Sequence, residues 1–549
     1  MLCSAAFQMT HNRLHSSKPK KSCTGCPLLL AICGAAIIGI LMVKNWNKAA
    51  EDRGSANRLG CGYSSGQVLK FPPNFRWSVA TSAYQTEGAA HSQGRGQSIW
   101  DRFLHKQHKT PDHSNGDIAT DSYHHIEEDV QMLKYLGVNQ YRFSLSWSRL
   151  LPNGLTTKIN KKGVHYYNQL ISALLNEGIE PVVTLYHWDL PLSLGDRGGW
   201  INGEIVNWFG NYTEFCFKTF GDRVKTWITL NEPHTQSVYG YCGDVAEHAP
   251  GGFQQHCEWA MYLAAHHMLL AHGRAARLYQ DVYQKTQKGK IGITLDSKWT
   301  EPSSDTVSDR EAADLAFQSQ FGWFAHPIFS SEGDYPMAMQ NRMYELSRSE
   351  GRSSSRLPTF TPKEIMLLKG SADFLGLNYY ISLIASTNLE LPVTDVSRTT
   401  NSQKGRDIGA LLYFNSSWPK MGPSDSWIRY YPEGLRKTLN YVKEHYANVP
   451  VLITENGCMD RPHDGLNDED RIFYLKGHLE SVWRAIHEDG VNVFGYTVWS
   501  LLDNFEWNDG FTRRFGLYHV DFHSSVRTRT PKRSAKWYKE VANTNSLRL

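Results

Sequence analysis

The hydrophobic pattern changes character twice along the chain. Residues 27–43 form one uncharged apolar run, Pro-Leu-Leu-Leu-Ala-Ile-Cys-Gly-Ala-Ala-Ile-Ile-Gly-Ile-Leu-Met-Val. Such a run is longer than the core of an ordinary signal peptide and stands at the short end of a membrane span. Residues 44–68 are polar with Gly and Ser, the composition of a linker. From Phe71 onward, short apolar runs alternate with amphipathic stretches. Strands are predicted at 75–85, 140–147, 181–188, 226–231, 291–296, 373–380, 451–455 and 493–502. Helices are predicted between them, at 126–136, 162–177, 204–220, 260–279, 432–444 and 471–488. A helix between consecutive strands implies a parallel crossover. Eight such units predict an α/β fold, a closed (β/α)8 barrel in a single domain over residues 69–545 rather than an open sheet. The segments 298–370 and 381–431 read as long irregular loops, the first with a Ser/Arg-rich stretch at 347–356. Long loops at the top of a barrel shape its site.

Composition narrows the class without choosing a chemistry. A chain of 549 residues is long for one domain, yet barrels of this kind run past about 400 residues with insertions. With 41% hydrophobic and 20% charged residues, global disorder is excluded. A formal charge of +4, from 58 basic and 54 acidic residues, is too small to suggest nucleic-acid binding. That charge is unevenly spread: residues 1–26 carry Arg13, Lys18, Lys20 and Lys21 and no acid. A basic tail ahead of residues 27–43 predicts an uncleaved signal anchor, single-pass, with the bulk of the chain outside the cytosol. Secretion after cleavage is the other reading, although Lys48-Ala49-Ala50 makes a poor cleavage site. Cys23 and Cys26 have zinc-like spacing, but no second ligand pair follows, so no metal site is expected there. Beside an anchor they could carry palmitate instead. Cys242 and Cys257 flank a Gly/Pro-containing loop and can be bridged in an oxidising compartment. Asn211-Tyr212-Thr213 and Asn415-Ser416-Ser417 fit luminal glycosylation, though so short a pattern arises by chance and Asn211 falls in a predicted helix. The 17 tryptophans suit a sugar site and a large core equally.

Candidate chemistry enters at two strand ends. Val451-Leu452-Ile453-Thr454 is an apolar run that stops on Glu455-Asn456-Gly457, and Trp227-Ile228-Thr229-Leu230 stops on Asn231-Glu232-Pro233. One carboxylate at a strand end is ordinary surface. Two, each beside an Asn, in a barrel whose strands all point their carboxyl ends at one face, are better explained by chemistry. A pair of carboxylates across such a mouth is the equipment of glycoside hydrolysis.

Seven motifs in order carry a resemblance. They are Ser82-Ala83-Tyr84-Gln85-Thr86-Glu87-Gly88, Tyr141-Arg142-Phe143-Ser144, His187-Trp188-Asp189-Leu190-Pro191 and Thr229-Leu230-Asn231-Glu232-Pro233. Then come Gly376-Leu377-Asn378-Tyr379-Tyr380, Ile453-Thr454-Glu455-Asn456-Gly457 and Trp499-Ser500-Leu501-Leu502-Asp503-Asn504-Phe505-Glu506-Trp507. From about Phe71 to about Tyr538 the chain resembles glycoside hydrolase family 1, the β-glucosidase-like enzymes. The resemblance implies that Glu232 is the general acid/base and Glu455 the nucleophile, with net retention of configuration. Retention needs the two carboxyls about 5–5.5 Å apart, with the acid's pKa raised. Arg142 and Tyr380 would support Glu455. Arg142 could equally be a structural ion pair, but its partner would be Glu455 itself. By the same resemblance Gln85, His187, Asn231, Glu506 and Trp507 bind the sugar. Gln85 and Glu506 would each hold hydroxyls in pairs, and Asn231 would meet the 2-hydroxyl. Trp499 would lie under the ring, Phe515 would wall the pocket, and Asn378 would orient the catalytic groups. The plainer readings are a core histidine at His187 and barrel core at Trp499. The resemblance implies a small-molecule β-glycoside as ligand and no metal or organic cofactor, and leaves oligomeric state open. No 6-phosphate pocket is evident. Glu232 stands where plant thioglucosidases of the family carry Gln, and both carboxylates that klotho-type relatives lose are present. The expectation is a retaining β-glycosidase, foremost a β-glucosidase, membrane-anchored or secreted. A thioglucosidase, a transglycosylase or a klotho-like binding protein are the alternatives.

Overall fold

The computed structural model describes residues 66–107 and 109–549. The basic tail at 1–26, the apolar run at 27–43, Cys23 and Cys26, and the linker up to residue 65 lie outside the described residues. Among the described residues, no helix is long and apolar enough to cross a membrane. The linker was expected to reach residue 68, but Val68–Lys70 is already a strand, paired antiparallel with Ser546–Arg548 at the other end of the chain.

Eight parallel strands form the barrel: β1 (Arg76–Ala80), β2 (Gln140–Ser144), β3 (Glu180–Tyr186), β4 (Thr226–Asn231), β5 (Lys290–Pro302), β6 (Phe374–Ser386), β7 (Val451–Asn456) and β8 (Val493–Trp499). Neighbours pair in the order β1-β2-β3-β4-β5-β6-β7-β8, and β8 pairs with β1 to close the ring. Both faces of these strands are covered, so they read as near-continuous apolar runs rather than as alternation: every residue of β2, β4 and β7 is buried. The surrounding helices are α1 (Ile126–Leu136), α2 (Lys161–Asn176), α3 (Ile205–Phe220), α4 (Cys257–Leu278), α5 (Pro362–Leu368), α6 (Pro432–His445), α7 (Glu469–His487) and α8 (Arg533–Thr544). Their ends follow local rules. The Asn160 side chain accepts from the Lys162 amide at the start of α2, Thr361 and Glu364 form a reciprocal capping box on α5, and Gly137 ends α1 at φ 70°.

Two expectations fail. The first strand was drawn to Gln85, but it ends at Ala80. The Thr81 amide bonds the Arg142 carbonyl, Ser82 turns the chain, and Gln85 sits on a short helix, Ala83–Thr86. The segments drawn as irregular are also structured. β5 and β6 run on together well beyond the barrel rim, in register from Lys298↔Ile381 to Pro302↔Ala385. Past them lie helices Val307–Phe317, Trp323–Phe329 and Met337–Ser349, then α5, and later a helix Gln403–Ile408 and a strand Leu411–Tyr413. A separate small core of Ala312, Ala313, Ala316, Leu383, Ile408 and Leu412 holds this upper layer. The Ser/Arg-rich stretch ends in Arg356, whose buried guanidinium forks onto Asp407 at 2.6 and 3.0 Å. Cys242 and Cys257 are bridged. Asn211 is exposed on α3, but the Thr213 hydroxyl is buried and donates to the Gly210 carbonyl.

Candidate active site

The carboxyl ends of the strands bring the singled-out side chains to one face. β7 presents Glu455, and β2 presents Arg142. The Arg142 guanidinium makes four hydrogen bonds: Nη1 donates to Glu455 Oε1 at 2.7 Å and to the Thr454 carbonyl at 3.0 Å. Its Nη2 donates to Asn231 Oδ1 at 2.6 Å and its Nε to Thr184 Oγ1 at 3.2 Å. From β6, the Tyr380 hydroxyl donates to Glu455 Oε2 at 2.8 Å. Each oxygen of Glu455 therefore has its own donor, one of them charged, and the carboxylate is fixed in orientation.

Glu232 follows the last residue of β4 with φ 45°, a left-handed conformation unusual outside glycine. Its carboxyl is buried, and Oε1 accepts from Asn378 Nδ2 at 2.7 Å. Burial raises its pKa to about 8, and the negative charges of Asp296 and then Glu455 add to the rise. Asp296 belongs to β5 and is held by His234 Nδ1 at 3.0 Å and Gln320 Nε2 at 2.6 Å. Sequence reasoning passed over Asp296, His234 and Gln320. The signal was present: the run 291–296 also ends on a carboxylate, as the runs before Glu232 and Glu455 do. The two glutamates are joined through one amide, because Asn231 Oδ1 accepts from Arg142 and, at 3.2 Å, from Asn378.

The remaining candidates line the space beside these carboxyls. Asn231 Nδ2 donates to His187 Nε2 at 3.1 Å, which puts the imidazole proton on Nδ1. His187 Nδ1 is buried and finds no partner among the described residues. Burial, then the nearby Arg142 charge, holds the His187 pKa well below the usual imidazole range, so the ring is neutral. Gln85 Nε2 donates to Glu506 Oε2 at 3.2 Å and to Asn504 Oδ1 at 3.1 Å. The Glu506 carboxyl is pushed well above the usual range by burial, then by Asp509 and Glu455. Trp499, at the end of β8, lies nearly parallel to His187 at 5.8 Å, and Trp507 does so at 6.0 Å. Phe515 meets Tyr380 edge-on at 6.2 Å. Trp188 and Trp507 join Glu232 in having positive φ, at 75° and 48°. All twelve side chains singled out from sequence thus fall at this mouth, and three of them, Arg142, Tyr380 and Asn378, bond the two glutamates directly. Away from them, His91, His105 and Asp117 bring potential metal-ligand atoms within 4.8 Å of one another.

The arrangement offers apolar ring faces, a few convergent polar groups, and two carboxyls in contrasting surroundings. Comparison with known proteins gives the same chemistry a family. The glycosyl hydrolase family 1 profile matches residues 67–547. Beta-glucosidase 42 of Arabidopsis thaliana is 44% identical over 477 residues, covering 85% of this chain and 93% of that protein. Lactase/phlorizin hydrolase of Rattus norvegicus is 45% identical over 480 residues, which are 87% of this chain but 24% of that longer protein. Among solved structures, an aphid myrosinase superposes with a TM-score of 0.80 at 42% identity, covering 87% of this chain and 99% of that one. A rice beta-glucosidase does so with a TM-score of 0.78 at 43% identity, covering 86% and 99%. The chain belongs to glycosyl hydrolase family 1, as a retaining β-glycosidase.

Proposed function

We propose that Glu455 is the nucleophile and Glu232 the general acid/base of a β-glucosidase. The observation that carries this reading is their contrast. Glu455 faces a guanidinium and a phenol, whereas Glu232 is buried with its pKa raised to about 8. A group protonated at neutral pH can give its proton to the leaving oxygen while Glu455 attacks the anomeric carbon. Glu232, now ionised, then takes a proton from water, which displaces Glu455 with a second inversion and so restores the starting configuration. Glu506 and His187 hold the sugar hydroxyls, the latter through its unpartnered Nδ1–H, while Gln85, with both amide hydrogens on Glu506 and Asn504, fixes Glu506 and keeps one lone pair of its oxygen for a hydroxyl. Asn231 keeps one amide hydrogen for a hydroxyl, since its oxygen and its other hydrogen are taken. Asn378 has both amide hydrogens committed, to Asn231 and Glu232, and accepts from Thr454 at 2.8 Å, so its role is positioning. Trp499 and Trp507 supply apolar faces for the ring, with Phe515 closing the pocket.

The roles separate by product stereochemistry. With an activated aryl β-glucoside, Glu232→Ala should form the glycosyl-enzyme and stall, and azide should release the β-glycosyl azide. Glu455→Ala should lose nearly all hydrolysis, with at most the α-azide formed by one direct displacement. NMR of the products decides: the reversed anomers reverse the assignment.

For location, we propose that residues 27–43 anchor the chain in a membrane with residues 66–549 on the non-cytosolic side. The apolar run, its basic flank and the Cys242–Cys257 bridge support this. Full-length protein should fractionate with membranes, while a chain starting near Gly60 should not. Recovery of full-length protein wholly in the cytosolic fraction rules the anchor out.

A further inference from the structure

The residues just beyond Glu232 wall a cavity of about 30 Å³ that none of the sugar-facing side chains lines. His234 and Tyr239 come from the helical segment after Glu232, Lys298 from the extension of β5, and Lys404 from the helix Gln403–Ile408. A water-sized site takes on the order of 10–15 Å³, so the cavity has room for about two such atoms. Two ammonium groups line a space of that size.

Lys404 is only 3% exposed. No hydrogen bond or ion pair among the described residues satisfies its ammonium, which lies 4.2 Å from the centre of the Trp323 ring and 5.6 Å from that of Tyr262. The nearest acid on its own helix, Asp407, is spent: it accepts both arms of Arg356, the Tyr262 hydroxyl at 2.6 Å and Gln403 at 3.0 Å. Burial consequently lowers the Lys404 pKa to about 7, with Asp407 opposing and Arg356 adding to the fall. Burial opposes the charge on Lys298, but Tyr239 and Asp296 beside it hold the ammonium in its charged form. Asp296 is itself occupied by His234 and Gln320. A buried cation without a counter-ion is costly, and an anion entering the cavity removes that cost.

We propose that this cavity receives a carboxylate carried by the leaving half of the substrate, with Lys298 and Lys404 as its counter-ions, so that the enzyme favours β-glycosides of acidic aglycones. The inference rests on Glu232 as the group that protonates the leaving oxygen, because that role turns the residues around it toward the aglycone. The two oxygens of one carboxylate match the space. Lys298 stands two residues beyond Asp296 on β5, and Asp296 neighbours Glu232, which ties the pocket to the reacting end of the molecule.

The test compares kcat/KM for 4-nitrophenyl β-glucoside and its 3-carboxy analogue in the full chain, in Lys298→Met and in Lys404→Met. Methionine keeps the length and the apolar stem. The ratio of the two substrates is read within each protein, so a loss of folded enzyme cancels. Wild type should favour the acid by about tenfold or more, the scale of a hydrogen bond to a charged group, and either substitution should remove most of that preference. Benzoate should compete with the acidic substrate in wild type and several-fold more weakly in Lys404→Met. A wild type without preference, or variants that lose both substrates in parallel, overturns the pocket while leaving the glycosidase reading intact. Non-competitive benzoate inhibition overturns it in favour of a separate anion site. A wild type that cleaves neither substrate overturns both readings.

Discussion

A single atom, Oδ1 of Asn231, accepts from Arg142 on one side and Asn378 on the other, and through them it sets the placement of Glu455 and Glu232. Shared partners couple residues, so substitutions along this line should not add. The acid's proton depends on a neighbour outside the line. Asp296 contributes negative charge that raises the Glu232 pKa, second only to burial. The alkaline limb of kcat/KM reports loss of that proton in the free enzyme. With the acid at about 8, activity should fall as pH rises through that value. Asp296→Asn removes the charge, lowers the Glu232 pKa, and should move the alkaline limb to lower pH. The pH–rate profiles of both proteins measure this. An unmoved limb, or one displaced upward, sinks the assignment of either Asp296 or Glu232. Glu232 and Glu455 were legible because a charge at the end of an apolar run is conspicuous, whereas Arg142, Asn231 and Asn378 were picked out through the family resemblance of their motifs. Asp296 was missed although it obeys the same rule, since no Asn or turn signal stands beside it. The unpartnered Nδ1 of His187 could not be foreseen, because tautomer and orientation follow from a bond to a residue 44 positions away.

Among the elements, the barrel strands were the most legible, because burial on both faces leaves an unbroken apolar run. Their ends were less so. Gln85 was drawn into β1 because Ser82-Ala83-Tyr84 continues an apolar pattern that serves a helix equally well. The upper layer of 303–370 and 397–413 was read as loop because its helices bury small alanines in a minor core, leaving little periodic contrast. Close approaches are invisible to periodicity as well. Gly457 follows Glu455 by two residues, and a Cβ there would collide with the Trp499 carbonyl oxygen. Backbone gives way poorly, so Gly457→Ala should cost about 1–3 kcal/mol and displace Trp499 from the sugar site. Thermal unfolding should show a lower Tm, and kcat/KM should fall about tenfold or more. Unchanged values for both would mean that the ends of β7 and β8 are not in the tight contact described.

Across the whole molecule, the sequence made the barrel readable as eight repeats of one local alternation, but not how the chain begins and ends it. The strand Val68–Lys70 offers three residues with little apolar pattern, and its partner Ser546–Arg548 lies at the far end of the chain. Pairing across such a separation leaves no local trace. It has a topological consequence. Once those two strands lie side by side, residues 68–548 form nearly a ring, and the point at which that ring is opened should matter little to the fold. A gene whose 68 and 548 ends are joined by a short Gly-rich link, and which is opened instead at the exposed turn around Gly351, should give a circularly permuted enzyme with wild-type kcat/KM and circular dichroism. A permutant that stays unfolded would show that the order in which the strands are made, and not only the ring they form, belongs to the instructions carried by the sequence.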